Sequence, residues 1–155
     1  MIEVKTRVTK FHRVDDSPDG AVVDGTKSAM KEAAGAGFQK SQELVPIDTS
    51  ELLMSGIPPH EDERGNIVWA YDAPWALPVE YGSRPHWIPD RYMDRLKGWA
   101  RRVLGDESAA YAVRHKIANH GTEPQPYVRP GVEVQRLVLK GTGVATHIRE
   151  EIPGL

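Results

Sequence analysis

Hydrophobic and polar positions alternate from the second residue onward. Ile2, Val4, Thr6 and Val8 fall on one side, and Glu3, Lys5, Arg7 and Thr9 on the other. A period of two belongs to a strand with one buried face, so residues 2–9 read as a strand. Asp15 to Gly20 read as a turn in which Ser17-Pro18 or Asp19 opens the next element. From Ala21 to Leu44 the period lengthens. Val22, Met30, Ala33, Ala34, Gly37, Phe38 and Leu44 share one stripe, which predicts a long helix. Its small residues, Ala33 to Gly37, suit close approach to a sheet or a second helix, at about 1 kcal/mol for each interior glycine. Val45-Pro46 ends it, because a residue before proline avoids the helical region.

Asp48-Thr49-Ser50-Glu51 resembles a capping box and predicts a short helical turn at 49–54. Ser55 to Pro59 then start a strand, His60 to Gly65 form an acidic turn, and 66–72 form a second strand with Ile67, Trp69 and Tyr71 on one face. Strand, turn and strand predict an antiparallel hairpin. Residues 73–89, rich in proline and aromatics, read as neither helix nor strand. In the segment from 90 to 121, Tyr92, Leu96, Trp99, Ala100 and Val103 make one helical stripe and Ala110, Val113 and Ile117 a second. Gly105 stops the first helix and Asp106 caps the next, so the two form a helical hairpin joined by one or two residues, its stripes facing each other. A last helical pattern runs through Val134, Leu137, Val138, Ala145, Ile148 and Ile152, with a kink or break expected at Gly141-Thr142-Gly143. There is also an internal echo. Gly82-Ser83-Arg84-Pro85 and Gly121-Thr122-Glu123-Pro124 share the order Gly, hydroxyl, any residue, Pro, each with an aromatic soon after. If the helical hairpin interrupts one loop, Gly82 and Gly121 lie near each other.

Composition narrows the function classes. The 155 residues fit one domain. A net charge of -2 is too balanced for a protein that coats nucleic acid. No window approaches the ~18 apolar residues of a membrane span, and the N-terminus lacks a signal-peptide core. The chain has no cysteine, which removes disulfides, thiolate catalysis and cysteine-bound zinc and fits assembly in cytosol. The six histidines, His12, His60, His86, His115, His120 and His147, form no metal-binding spacing. Asp15-Asp16 and Glu150-Glu151 sit at expected turns and ends. There is no nucleophile elbow and no phosphate loop. The expectation is therefore no catalytic residue, no metal and no cofactor. One local imbalance stands out. Residues 84–121 hold eight Lys or Arg against four Asp or Glu. Arg91, Arg95, Arg101 and Arg102 are candidate nucleic-acid contacts, which would make the chain a small nucleic-acid-binding protein. The other reading is a solvated face with internal pairs of Asp90 and Asp94 against Arg91 and Arg95.

Three segments, in order, resemble the tailed-phage (siphophage) neck and tail-completion family of minor tail components. Pro46-Ile47-Asp48-Thr49-Ser50-Glu51-Leu52-Leu53-Met54-Ser55 resembles its Pro-x-Asp-Thr-Gly-x-Leu-x-x-Ser motif. Ala73 through Val79-Glu80-Tyr81-Gly82-Ser83 resembles Tyr-Ala-x-Tyr-Val-Glu-x-Gly-Thr. Gly121-Thr122 through Pro126-Tyr127-Val128-Arg129-Pro130-Gly131 resembles Gly-Thr…Pro-Phe-Leu-x-Pro-Ala. Ser50 departs from the family glycine, so that turn need not take a positive φ. Pro78 departs from a hydrophobic position, against pairing of a strand there. The resemblance implies an α+β fold in one domain, a small antiparallel sheet with a long helix packed across it and a C-terminal helix; the helical hairpin inserted at about 88–121 is a further departure, absent from short family members and similar to one in some longer members. It implies a structural, non-enzymatic virion protein that forms a homo-oligomeric, six-fold ring at the head–tail connector or tail terminus. Its partners would be neighbouring connector, head-closure or tail-tube proteins, with packaged DNA a candidate contact, and assembly would occur in the host cytoplasm. Trp75, Tyr81, Trp87 and Tyr127 sit in segments expected at the surface. With Glu80, Gly82 and Pro126 of the motifs they form the candidate subunit or ring interface.

Overall fold

A computed structural model describes residues 1–8, 19–142 and 146–151. His12, Asp15-Asp16, Ser17-Pro18, Gly143, Ala145 and Ile152 lie outside them. The chain runs β1 (Ile2–Val8), α1 (Asp19–Leu44), α2 (Glu51–Met54), β2 (Gly56–Glu61), β3 (Ile67–Tyr71), α3 (Ala76–Tyr81), α4 (Met93–Leu104), α5 (Ala109–His120), α6 (Val128–Gly141) and β4 (Thr146–Glu151), with one 3₁₀ turn at Asp90–Tyr92. The fold is α+β. The four strands form an antiparallel sheet in the order β2-β3-β1-β4.

The alternation of β1 places Ile2, Val4 and Thr6 opposite Tyr71, Trp69 and Ile67, and all six are buried. Burial of each large apolar side chain contributes about 1.5–3 kcal/mol. β3 departs from the one-faced reading, because Val68 and Ala70 are buried too.

α1 lies across β2 and β3 and packs along α6. Met30, Ala33 and Ala34 face the core, and Phe38 meets the Trp69 ring edge-on at 5.8 Å. The helix backbones nearly touch where Gly37 meets Gly131. A Cβ on Gly131 would sit 2.5 Å from the Gly37 carbonyl oxygen. Within the core, Trp69 Nε1 donates to Gln135 Oε1 at 2.9 Å, and Gln135 Nε2 donates to Thr6 Oγ1. This amide satisfies two buried polar groups and ties α6 to both central strands.

The β2–β3 hairpin turns on Asp62. Its carboxylate accepts from the Arg64 and Asn66 amides and from Asn66 Nδ2, at 2.9, 2.8 and 2.7 Å. β2 is an edge strand whose register shifts between Ile57 and His60, where Pro58 and Pro59 supply no N–H.

Several expectations change. No capping box forms at α2: its N-cap, Ser50, makes no side-chain cap and sits at φ 62°, a left-handed conformation uncommon for a residue other than glycine. Asp48 turns away to α4. Residues 76–81 are helical although Pro78 is among them. Pro78 occupies the third position of α3, where its missing N–H has no intrahelical partner to lose. Pro130 holds the same position in α6, which starts at Val128 rather than near Val134. The buried stripe of α6 is Val128, Val132, Gln135 and Leu139, and Leu137 points outward, 65% exposed. The expected continuation of the helix is not seen among the described residues past Thr142. Residues 146–151 form β4, which pairs with the second edge of β1. Sheet pairing there outcompetes a weak helical period.

Candidate assembly surface

Gly82 (φ 76°, ψ 178°) and Gly121 (φ 74°, ψ -156°) adopt backbone conformations open essentially to glycine alone. They let the chain leave and re-enter at one point. The Ser83 N–H donates to the Thr122 carbonyl at 3.1 Å and the Thr122 N–H to the Ser83 carbonyl at 3.2 Å. The internal echo is therefore a spatial pairing. Between the two glycines, α4 and α5 pack on each other around Met93, Leu96, Trp99, Ala100, Ala109 and Ala110. Their connection is four residues, Gly105 to Ser108, longer than expected, with Gly105 at φ 76° and Asp106 accepting from the Ser108 N–H at 2.8 Å. Val103 leaves the expected inner stripe and is 54% exposed.

Beside this crossing lies a buried carboxylate. Glu80 Oε2 accepts from the Tyr127 and Val128 amides at 2.7 and 2.8 Å. Oε1 accepts from the Arg129 amide and from Arg129 Nε, both at 3.0 Å. The first N–H groups of α6 thus find their acceptor on α3, and a negative charge sits at the positive end of the helix dipole. Glu80 and Tyr127 are both 0% exposed. This corrects their place in the candidate interface: within the folded chain they are inside. The Tyr127 ring stands edge-on to Tyr71, 4.9 Å away, and its hydroxyl donates to the Ala76 carbonyl at 3.3 Å. Burial pushes the Tyr71 hydroxyl up to about 12, and that of Tyr127 further up. Gly82 acts through its backbone. Trp75, Tyr81, Trp87 and Pro126 do lie at the surface.

A groove of about 870 Å³ opens between the 46–52 segment, α3, α4 and residues 122–125. Trp75, Pro78, Tyr92, Trp99 and Val103 line it, with Ile47, 68% exposed, at its rim. Arg102 spans it with a two-pronged pair to Asp48, Nε to Oδ1 and NH2 to Oδ2, both 2.7 Å. The Arg102 guanidinium holds the Asp48 carboxyl below its usual range, and Asp48 raises Arg102 in turn. Neither Ile47 nor Val103 was expected at a surface site. The groove joins four segments distant in sequence, so no local pattern signals it.

The arginines do not form one patch. Arg102 is engaged by Asp48, and Arg91 lies over the neighbouring Tyr92 ring at 4.9 Å. The expected Asp90 partners are replaced by buried Arg114, 2.6 Å away, which also stacks on the Trp87 ring at 4.0 Å. Arg95 and Arg101 make no ion pair among the described residues. Also among the described residues, no group of three or more His, Asp or Glu could hold a metal ion, and no helix is long and apolar enough to cross a membrane. Compared with models of known protein families, with curated proteins and with solved structures, the chain matches none.

Proposed function

We propose that this chain is a structural virion protein, a ring-forming subunit of the head–tail connector or tail terminus of a tailed virus. The observation that supports it best is the Glu80 junction. Two segments that resemble the neck and tail-completion family, one carrying Val79-Glu80 and the other Pro126-Tyr127-Val128-Arg129-Pro130, build one joint across nearly fifty residues of sequence. A shared motif pair is expected to persist for such a reason. The surface around the joint supports assembly. Trp75, Tyr92 and Ile47 are exposed apolar residues around one groove, and clustered apolar surface marks interaction sites. In this reading the subunits form a six-fold ring, bind neighbouring connector, head-closure or tail-tube proteins, and reach the virion after assembly in the host cytoplasm. No catalytic group is assigned.

Native mass spectrometry and negative-stain imaging of the purified chain test it. A closed ring, alone or on a partner ring, is expected. A monomer both alone and with connector and tail-tube proteins overturns it. The nucleic-acid reading keeps support from Arg95 and Arg101, which make no ion pair among the described residues, and loses support from Arg102 and Arg114, which are engaged. Salt-dependent binding to duplex DNA that Arg95→Ala/Arg101→Ala weakens would favour it.

A further inference from the structure

We infer that the groove walled by α3 and α4 receives the Arg84–Trp87 loop of a second copy of this chain, closing the ring head to tail. This rests on the ring reading above and gives it a specific interface. The groove's chemistry comes first. Trp75, Tyr92 and Trp99 wall it beside Pro78, and aromatic-walled grooves of this kind dock extended proline-containing segments. Its volume of about 870 Å³ holds several side chains.

The loop has the matching form. Arg84, Pro85, His86 and Trp87 are all exposed, with Trp87 at 53%. The chain bends at Pro85 and has no regular secondary structure over residues 86–89, and beyond the tip Pro89 sits at φ -58°, ψ 149°. The loop is held at both ends. The Ser83–Thr122 bridge fixes its start, the His86 N–H donates to the Ile117 carbonyl at 3.3 Å, and Ile88 turns into the chain's own groove. A loop already held at both ends loses little entropy on docking. Trp87 rests one ring face on Arg114 and meets His115 edge-on, leaving a large aromatic surface at the tip. Such residues carry much of the energy of interfaces.

Charge agrees. Once Asp48 and Arg102 satisfy each other, Glu51, Asp94 and Glu123 face Arg95 alone around the groove. The loop brings Arg84, which makes no ion pair among the described residues, while its nearby Asp90 is bound to Arg114. A positive loop and a negative groove orient the encounter. Geometry sets the symmetry. Trp87 packs on α5, and the groove is walled by α4, so loop and groove are different surfaces of one subunit. Contacts between unlike surfaces repeat head to tail and produce rings where the rotation closes.

The test uses two sets of variants of the full chain, read by native mass spectrometry. Arg84→Glu/Trp87→Ala damages the loop, and Ile47→Asp/Val103→Asp damages the groove at two exposed positions. Each variant alone should lose the ring. An equal mixture should give heterodimers and nothing larger, because each partner keeps one intact end. Arg84→Glu alone, at an exposed unpaired side chain, should weaken association at least tenfold while leaving far-UV circular dichroism unchanged. Rings from both damaged variants, or no heterodimer in the mixture, overturn the loop-in-groove contact and leave the ring reading standing. Loss of the ring only in the groove variant means the groove holds another segment or protein, and also overturns it. A wild-type chain that stays monomeric at every concentration removes the ring reading and this contact with it.

Discussion

Replacing Glu80 is the most direct perturbation of the joint between α3 and α6. Alanine removes the acceptor of three backbone N–H groups at once, two of them on the fully buried Tyr127 and Val128. A buried donor left without a partner costs about 1–3 kcal/mol, and loss of the charge at the helix N-terminus adds roughly 0.3–1 kcal/mol. Glu80→Ala should therefore lose about 4 kcal/mol, a large part of the ~5–15 kcal/mol that stabilises a folded chain. Glutamine is the sharper probe because it keeps the shape. Its one oxygen can serve Tyr127 and Val128, but its NH₂ then faces the Arg129 amide and Nε, both donors. That donor-to-donor contact, and the loss of charge-assisted bonds, should cost about 2 kcal/mol. Arg129→Ala leaves all three amides satisfied and removes a half-exposed partner, so it should cost least. Urea unfolding followed by circular dichroism reads the series as shifts in midpoint at constant slope. A Glu80→Gln chain as stable as wild type, or less damaged than Arg129→Ala, would refute the claim that this carboxylate holds the two segments together.

Gly35→Ala, in helical backbone with nothing within 4 Å of the added Cβ, should stabilise by about 0.5–1 kcal/mol, whereas Gly37→Ala, 2.8 Å from the Gly131 carbonyl oxygen, should destabilise by roughly 1–3 kcal/mol. Thermal melts of the pair should move in opposite directions. Gly121→Ala combines a positive φ with a Cβ that collides with the Ser83 carbonyl, and should cost about 3 kcal/mol, read in the same melts. In alkali, the folded chain holds the Tyr71 and Tyr127 protons above the ordinary phenol value of 10.0. The stability they contribute is complete below pH 10 and falls as pH rises toward 12 and beyond, so unfolding monitored by circular dichroism should set in above pH 10 with phenolate absorbance rising alongside it. Deleting 88–120 and joining the bridged ends with a short linker should leave a chain with folded far-UV circular dichroism, and an unfolded remnant would place the α4–α5 hairpin within the main core.

What the sequence made legible was what local period encodes. The alternation at Ile2, Val4 and Thr6, the middle of the α1 stripe from Met30 to Phe38, the two helices around 93–120 and the turn chemistry of Gly105 reappear in the fold, while Leu44 at the end of the stripe is exposed. The paired glycines at 82 and 121 were legible through their echo, because each needs the same backbone freedom for the same crossing. The misses have physical causes. Pro78 and Pro130 argue against helices, yet each falls in a first turn, where no hydrogen bond is lost. With serine at position 50 the turn need not take a positive φ, yet Ser50 takes one as the residue that opens α2. Thr146 to Glu151 follow a broken helical stripe, and only the free edge of a distant strand makes them a strand. The prolines around Tyr127, and the proline- and aromatic-rich segment that holds Glu80, point to the surface, whereas both residues are buried. Their burial follows from a contact between α3 and α6 that no local pattern carries.

The position of β1 has a consequence for the order of events as the chain is made. β1 lies between β3 and β4, pairing Ile2 with Tyr71 on one side and Glu3 with Glu151 on the other. At about 5–20 residues per second of synthesis, roughly 4–15 seconds separate the appearance of the first partner strand from that of the second. During that interval the α4–α5 hairpin closes through local contacts, which form fast. The outer rim of β1 stays unpaired, and α6, which supplies Gln135 to the core, is completed only shortly before β4. Nascent chains on one message therefore expose a strand edge for seconds. Refolding should accordingly show a rapid helical phase followed by a slower one in which the Trp69 environment becomes native.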